Sequence, residues 1–314
     1  CRRRTRTAMV APARETRALV INLPAAPIEI AATADGPVTS ATAPVPSLSA
    51  ATLPAPAAAS ETVKKTLHGT YPIAAGGSFA LENVNGAVTL ESWDRKDIAV
   101  EAIKAIKSGS RERAQMYLDQ LKVVVDTQPN RVKIVVRYPR STNNLFGWLF
   151  GSSAKGWVDF KIKVPRELDL DVENVNGSIV LSGVRGDLKI ATVNGAVTVA
   201  RASGKIDVET VNGGLDIREA FGEISASTVN GGISASFSDV SGSANFSSIN
   251  GGIDLTLPRT SRATFDFETL NGRVISDLPT DPPASKHRLD GRLNGGGARI
   301  HASTTNGSIE VTGN

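Results

Sequence analysis

A dipeptide of Asn followed by Gly recurs along this chain at a regular interval. Its asparagines stand at positions 85, 176, 194, 212, 230, 250, 271, 294 and 306, and the four from Asn176 to Asn230 are spaced by 18 residues. A second glycine follows about ten residues after each corner, at Gly186, Gly204, Gly222 and Gly242. A fixed period of this length is typical of stacked coils, because one coil cannot bury its apolar face alone. The repeat predicts coils of about 18 residues, each with two short strands and two corners.

Apolar residues fall into columns at this period. An even period keeps each side chain on the same face from one coil to the next. One wall is predicted from Val175, Val193, Val211 and Val229, then Ile179, Val197, Leu215 and Ile233, then Leu181, Val199, Ile217 and Ala235. The opposite wall is predicted from Leu170, Leu188, Ile206 and Ile224, then Val172, Ile190, Val208 and Ala226. Polar residues separate these columns, so we expect two facing walls around a narrow core.

The Asn-Gly pairs are expected to form the corners. Both residues tolerate positive φ, and stacked Asn side chains can hydrogen-bond as an internal ladder. The predicted turn ladder consists of Asn176, Gly177, Asn194, Gly195, Asn212, Gly213, Asn230, Gly231, Asn250 and Gly251. The same dipeptide is a strong hairpin signal, so an antiparallel meander is the structural alternative. In-register columns of similar residues favour the all-β solenoid, because a meander gives no reason for every second strand to repeat.

The chain divides by composition into two parts. Residues 1–62 are an Ala- and Pro-rich tail or spacer, and residues 66–314 carry the strand pattern. One short helix is expected after the N-cap Ser110, with Ala114, Leu118 and Leu121 on one face. The last strands, near 298–302 and 308–311, are expected to form the C-terminal coils and cap.

Charge and cysteine content exclude several classes of protein. The net charge of +4 is small, and six of the 35 basic residues lie within the first 17 positions, so no nucleic-acid groove is expected. Cys1 is the single cysteine, which excludes an internal disulfide and a thiolate metal cage. Cys1 fits a lipidated N-terminus left by signal cleavage, or else an arbitrary boundary, and both interpretations stay open. Any membrane contact is expected only through that anchor.

The sequence contains no recognisable catalytic or metal motif. His68, His287 and His301 stand apart without metal-ligand spacing, and no serine lies in Gly-x-Ser-x-Gly. The stretch from Asn212 to Asp216 resembles a calcium-binding repeat but lacks its third glycine. We therefore expect no catalytic residue, no metal and no cofactor.

Two surfaces are candidates for contact with a ligand or partner. The loop from Leu145 to Gly151 places Phe146, Trp148 and Phe150 close together, and it either contacts a partner or covers the open end of the solenoid. A stacked column of hydroxyl side chains forms either a flat binding surface or a solvated wall, and it comprises Thr192, Thr210, Thr228, Ser248 and Thr269.

Several motifs together resemble a known family. These are the run from Glu173 to Ile179, the repeated Thr-Val-Asn-Gly, the step at Tyr138-Pro139 and the late segment from Asn306 to Ile309. The pattern is similar to the bacterial putative-adhesin domain of unknown function, related to head-GIN-type β-solenoids, over residues 66–314. The resemblance implies a β-solenoid that acts in adhesion or envelope sensing. It carries over no catalytic residues, because the family pattern consists of turns and core positions.

We expect a non-enzymatic protein of the bacterial cell envelope or exterior that acts through its solenoid surface in adhesion, scaffolding or sensing. Its partner is unknown, and envelope or matrix polysaccharide and an envelope protein are both open. One alternative is a carbohydrate-active β-helix enzyme, a lyase or hydrolase, which three carboxylates and an Arg or Lys clustered on one face would favour. Another is a regulatory partner of an envelope signalling protein.

Overall fold

The computed structural model describes residues 60–138 and 154–314. These residues belong to the compact unit Pro56–Asn314. Cys1, most of the predicted spacer and the loop with Phe146, Trp148 and Phe150 lie outside the described residues. The described part is all-β with one helix, as the repeat predicts.

The described part contains one helix and 22 strands. The helix is α1 (Arg111–Gln120). The strands before and around it are β1 (Glu61–Pro72), β2 (Ser78–Glu82), β3 (Val88–Trp93), β4 (Asp97–Ser108), β5 (Lys122–Gln128), β6 (Arg131–Arg137) and β7 (Ala154–Pro165). The repeat region has β8 (Asp169–Asn176), β9 (Ile179–Ser182), β10 (Arg185–Asn194), β11 (Val197–Ala200), β12 (Ser203–Asn212), β13 (Leu215–Asn230), β14 (Ile233–Phe237), β15 (Ala244–Asn250) and β16 (Ile253–Leu257). The last strands are β17 (Ala263–Asn271), β18 (Val274–Ser276), β19 (Thr280–Asp281), β20 (Arg288–Leu293), β21 (Ala298–Asn306) and β22 (Ile309–Gly313).

The strands form two walls, sheet A and sheet B. Sheet A has the order β1-β4-β7-β3-β9-β11-β13-β14-β16-β22-β18. Sheet B has the order β5-β6-β2-β8-β10-β12-β13-β15-β21-β17-β20-β19. Strand β13 belongs to both, because its first part pairs with β11 and its last part with β12.

The pairing confirms the solenoid. Along the repeat, neighbouring strands are parallel and one coil apart, so that Leu188 pairs with Leu170 and Ile206. The offset is 18 residues between β8, β10 and β12, and it rises to 20 between β13 and β15. The Asn-Gly corner after Asn176 joins β8 in sheet B to β9 in sheet A, and so it does not form a hairpin. The antiparallel meander is therefore excluded for the repeat region.

Four of the five predicted core columns face inward. The columns that begin at Ile179, Leu181, Leu170 and Val172 are buried, and each of their members is 0–2% exposed. Polar positions between them, such as Lys189 and Thr198, lie on the outer faces. Strand alternation thus encloses an aliphatic core between the two sheets.

The prediction that the column beginning at Val175 faces the core was wrong. Val175, Val193, Val211 and Val229 are half-buried on the outside of the corner, and Leu270 at the equivalent position is 71% exposed. The preceding position in each coil points inward instead, and its residues Asn174, Thr192, Thr210, Thr228, Ser248, Thr269 and Thr304 are buried. Strand alternation continues from the core column through this position, so the next residue must face out.

Five of these inward hydroxyls hydrogen-bond to corner glycines, whereas Thr192 Oγ1 has no hydrogen-bond partner among the described residues. Thr210 Oγ1 donates to Gly195 O at 3.2 Å, and Thr228 Oγ1 donates to Gly213 O at 3.0 Å. Ser248, Thr304 and Thr269 make the equivalent bonds to the neighbouring coils, where the acceptors are the carbonyl oxygens of Gly231, Gly251 and Gly307. The predicted threonine surface is thus a buried polar column that holds neighbouring coils together.

The order of the coils departs from the order of the chain at both ends. The coil made by β2 and β3 lies between β6/β7 and β8/β9, because β2 pairs with β6 and β8. The coil made by β21 and β22 lies between β15/β16 and β17/β18. The expectation that the last strand pair forms the terminal coil was therefore wrong: the terminal coil is β17/β18.

Antiparallel strands and the helix close the two ends. Strands β1, β4 and β7 run antiparallel at one end of sheet A, and β20 packs antiparallel on β17 at the other end of sheet B. Helix α1 lies against β1 and β4, with Ala114 and Leu118 buried. Ser110 Oγ accepts a hydrogen bond from the Arg113 N–H, as predicted for its N-cap. Within the described ranges, α1 is too short and too polar to cross a membrane.

Candidate functional site

The predicted turn ladder is a continuous chain of hydrogen bonds. Each Asn Nδ2 donates to the Asn Oδ1 of the coil before it in the stack, at 2.7–2.9 Å, along the series Asn271, Asn306, Asn250, Asn230, Asn212, Asn194, Asn176 and Asn85. Asn85 Nδ2 ends the series on Gly156 O. Most of these side chains are exposed, so the ladder runs along the outside of the corner and is not internal.

Close approach, more than positive φ, requires glycine at these corners. None of the ladder asparagines has positive φ, and only Gly86 and Gly177 among their glycines do. A Cβ on Gly195, Gly213, Gly231 or Gly251 would lie 2.0–2.1 Å from the carbonyl oxygen of the neighbouring coil's glycine. The predicted role of positive φ is therefore secondary to the contact between stacked backbones.

Tyr138 holds the first ladder position. Its hydroxyl accepts a hydrogen bond from the Asn85 N–H at 3.1 Å and lies 3.2 Å from Asn85 O. Burial raises the pKa of Tyr138 above its ordinary value, since an ionised phenol would lose solvation there. These bonds are structural, and neither they nor the ladder form a cavity for a ligand.

A groove on the outer face of sheet A is the stronger candidate for ligand binding. We call it the Trp93 groove. It has a volume of about 540 Å³ and crosses the adjacent strands β1, β4, β7 and β3. Its outward side chains are His68, Thr70, Ala99, Glu101, Lys161, Lys163, Thr89, Glu91 and Trp93. The small side chain of Ala99, between Thr70 and Lys163 in the same row, leaves the depression.

Trp93 is held in a fixed orientation at the edge of the groove. Its Nε1 donates to Asp97 O at 2.8 Å, and the Arg95 guanidinium lies over the indole at 4.5 Å from the ring centre. Lys163 Nζ lies 5.9 Å from the same ring centre. A half-buried indole with its polar atom satisfied and its ring held by cations is a rigid platform for a ligand.

The charged side chains of the groove are available for hydrogen bonds. Among the described residues, none of Glu91, Glu101, Lys161 and Lys163 forms an ion pair within 4.0 Å. Opposite charges face each other across strands, since Glu101 pairs with Lys161 and Glu91 with Lys163. The groove therefore combines donors, acceptors and one aromatic face, which is the composition expected of a binding site for a polar ligand.

A second cluster of ionisable side chains lies on the outer face of sheet B. His301 Nδ1 lies 3.4 Å from Asp266 Oδ2, and Arg288 Nη2 lies 3.6 Å from both Asp266 and Asp290. Glu268 pairs with Arg288 across the strands. The side chains of His301, Asp266, Arg288 and Asp290 are 35–68% exposed. The cluster therefore has three carboxylates and an arginine on one face, which is the arrangement that would favour a carbohydrate-active enzyme. Its side chains are more exposed than those of most catalytic sites.

The described residues hold no group of three His, Cys, Asp or Glu that could bind a metal ion. His68 lies in the Trp93 groove, His301 lies in the sheet B cluster, and His287 lies beside β20. The structure thus brings two of the three histidines to different surfaces and does not bring them together.

Sequence reasoning missed the Trp93 groove. Alternation in β3, with Val88 and Leu90 buried, places Trp93 on the outer face, and that parity is visible in the sequence. What the sequence does not reveal is which strands flank β3, because β7 and β9 are both distant along the chain. The sequence around Trp93 therefore does not indicate that Glu101, Lys161 and Lys163 lie near it.

The type of domain is identified by its sequence family. The sequence model of the Toastrack DUF4097 family matches residues 78–312. No curated protein matches the chain. Among solved structures, the chain is similar to a putative cell adhesion protein from Clostridium sporogenes, with 11% identity, a TM-score of 0.34 and coverage of 80% of this chain and 100% of that one. It is also similar to a putative adhesin from Bacteroides fragilis, with 11% identity, a TM-score of 0.32 and coverage of 79% and 97%.

Proposed function

The chain belongs to the Toastrack DUF4097 family, and from that premise we propose that it is a non-enzymatic module of the cell envelope or cell exterior that binds polysaccharide in the Trp93 groove. The observation that carries the proposal is the fixed, outward indole of Trp93 beside four charged side chains that have no ion-pair partner within 4.0 Å among the described residues.

The shape of the groove suits an extended sugar polymer. Its volume falls within the range of roughly 300–1,000 Å³ typical of ligand sites, yet it is an open depression on a sheet face. The apolar C–H face of a sugar ring stacks on an aromatic ring, and the hydroxyl groups bond to carboxylates and ammonium groups around it. A long sheet surface allows further sugar units to extend beyond the groove.

The arrangement favours binding over cleavage. A glycosidase needs two carboxyl groups on either side of one bond, with the acid's pKa raised by burial. Glu91 is exposed to solvent, and strand β7 separates it from Glu101. We therefore assign both residues to ligand hydrogen bonds.

The test is retention of the full chain on a panel of neutral and acidic envelope and matrix polysaccharides, with soluble sugar measured in parallel. We expect retention without sugar release. Trp93→Ala should weaken binding by about 2 kcal/mol, roughly thirtyfold in Kd. Trp157→Ala is the matched control, since Trp157 is also half-buried on β7 but does not line the groove. Equal retention of the wild type and Trp93→Ala would contradict the proposal.

A second candidate function is polysaccharide cleavage at the sheet B cluster. The specific observation in its favour is the contact of His301 and Arg288 with Asp266. Sugar release that survives repurification and disappears in Asp266→Asn and His301→Gln would support cleavage. Release that is unchanged in both variants would point to a contaminating enzyme.

A further inference from the structure

A pocket lined by three arginines borders the Trp93 groove. We call it the arginine pocket. It has a volume of about 490 Å³ and is lined by Arg166, Arg185 and Arg201 together with Glu91, Ser92, Ser182 and Gly183. Glu91 lines both cavities, so the two adjoin each other at β3.

The pocket exists because one coil lacks a side chain where the next coil has an arginine. Ser182 pairs with Ala200, so Gly183 and Arg201 occupy equivalent corner positions. A Cβ on Gly183 would lie 2.3 Å from Ser92 Oγ. The missing side chain opens the floor of the pocket, and Arg201 Nη2 reaches back across it to donate to Ser182 Oγ at 2.7 Å.

The three positive charges are incompletely neutralised. Arg185 and Arg201 form no ion pair with any of the residues that the structure describes. Arg166 pairs with Asp94 at 2.6 Å, but both side chains are mostly exposed, so this pair is weak and can exchange for a ligand. Glu91 is the one carboxylate in the lining, so the three guanidinium groups leave the cavity net positive, and a bound anion would reduce their mutual repulsion.

The backbone of Arg201 is strained where it supports this arrangement. Its φ is +51°, in the left-handed region that favours glycine, and the equivalent Gly183 has φ +79°. A glycine at position 201 would relieve the strain, so the arginine side chain is retained against a conformational penalty. Glu219 at the equivalent corner of the next coil has the same φ, so this conformation belongs to the corner, and the inference rests on the place of Arg201 in the lining of the pocket.

From these observations we propose that the arginine pocket binds the acidic group, a carboxylate or a sulfate, of a polysaccharide whose neighbouring sugar units occupy the Trp93 groove. Guanidinium groups form paired hydrogen bonds to such oxyanions, and three of them around one cavity select charged sugars over neutral ones. The inference rests on the proposed function, because it names the class of polysaccharide that the groove takes.

The experiment measures binding of the full chain to alginate, dextran sulfate and uncharged dextran at constant ionic strength. We expect tighter binding to an acidic polymer than to dextran. Arg201→Gly and Arg185→Gln should each weaken binding to the acidic polymer at least about tenfold. Arg201→Gly should have an unfolding temperature no lower than the wild type, which separates lost binding from lost folding.

Two matched variants serve as controls. Glu219→Gly makes the same backbone change at the equivalent corner of the next coil, where Glu219 also has φ +51°, but Glu219 does not line the pocket. Lys205→Gln removes one positive charge from an exposed position in sheet B. Both should bind the acidic polymer as the wild type does.

Other outcomes would overturn the inference in distinguishable ways. If Trp93→Ala loses binding while both arginine variants keep it, the groove binds polysaccharide but the arginine pocket has no part in it. If free sulfate or vesicles of anionic phospholipid bind in an arginine-dependent manner and no polysaccharide binds, the pocket takes a different ligand. Failure of every polymer to bind would contradict the proposed function as well.

Discussion

Each Asn-Gly corner combines two residues with separate structural tasks. The asparagine supplies a side-chain donor and acceptor that join it to both neighbouring coils, while the glycine lets two backbones touch. The period in the sequence was enough to predict the corners and the pairing of asparagines. It could not reveal that the asparagines are exposed, because strand alternation ends at the corner and no longer fixes the direction of their side chains. Nor did it show that threonine faces inward and valine outward before the corner.

Adjacent glycines at one corner provide a sharp test of the backbone contact. A Cβ at Gly213 would lie 2.0 Å from Gly195 O, whereas a Cβ at Gly214 would lie 3.5 Å from Gly232 O. We expect Gly213→Ala to lower the free energy of unfolding by at least about 2 kcal/mol and Gly214→Ala to change it little. Denaturant unfolding of both variants measures the difference. Equal stability of the two would contradict the proposed role of glycine.

The asparagine ladder should contribute measurably to the stability of the fold, although its side chains are exposed. Asn212 Nδ2 donates to Asn194 at 2.9 Å, and Asn212 Oδ1 accepts from Asn230 at 2.8 Å. Because Asn212→Ala removes both bonds, we expect a loss of about 1–3 kcal/mol in the free energy of unfolding. Asn245→Ala is the control, since this exposed asparagine on β15 is outside the ladder. A ladder variant as stable as the control would show that the ladder only follows the packing.

At the scale of elements, helix α1 depends on a buried lysine from β4. Lys104 Nζ donates to Leu118 O at 2.9 Å and to Leu121 O at 2.7 Å, and so satisfies carbonyl groups at the end of the helix. The sequence predicted the helix from its N-cap and apolar spacing. It gave no sign of this C-terminal contact, because Lys104 occupies a strand position where charged residues are usually solvated.

Lys104 also predicts a pH dependence of stability. Burial lowers its pKa below the ordinary 10.5, the charge of Lys65 acts in the same direction, and Asp119 opposes them. Between that lowered pKa and 10.5 the unfolded chain binds more protons, so the free energy of unfolding rises with pH through this window. Lys104→Met should lose about 1–3 kcal/mol at neutral pH from the two unsatisfied carbonyl groups.

The free energy of unfolding of Lys104→Met should not rise with pH in this window. The difference in free energy of unfolding between the wild type and Lys104→Met should therefore widen as the pH approaches 10.5. Denaturant unfolding of both proteins across the pH series measures it. A deficit that narrows with rising pH would contradict the burial of a charged lysine.

At the scale of the whole molecule, the order of coils decides which surfaces exist. The insertion of β2 and β3 between β6/β7 and β8/β9 places Trp93 beside Lys163 and Arg166 near Asp94. Periodicity predicted the two walls and the parallel register from Asn176 to Asn250. Neither the groove nor the arginine pocket could be predicted, since each brings β3 against segments about 70 or more residues away, and this adjacency leaves no repeat in the sequence.

Hydroxyl-radical footprinting of the full chain, with and without an acidic polysaccharide, tests most directly where the ligand binds. We predict that the polymer protects Trp93 from oxidation and leaves Trp157 on β7 unchanged, because Trp93 lines the groove and Trp157 does not. Protection confined to the outer face of sheet B around His301, or equal protection of both tryptophans, would contradict binding in the Trp93 groove.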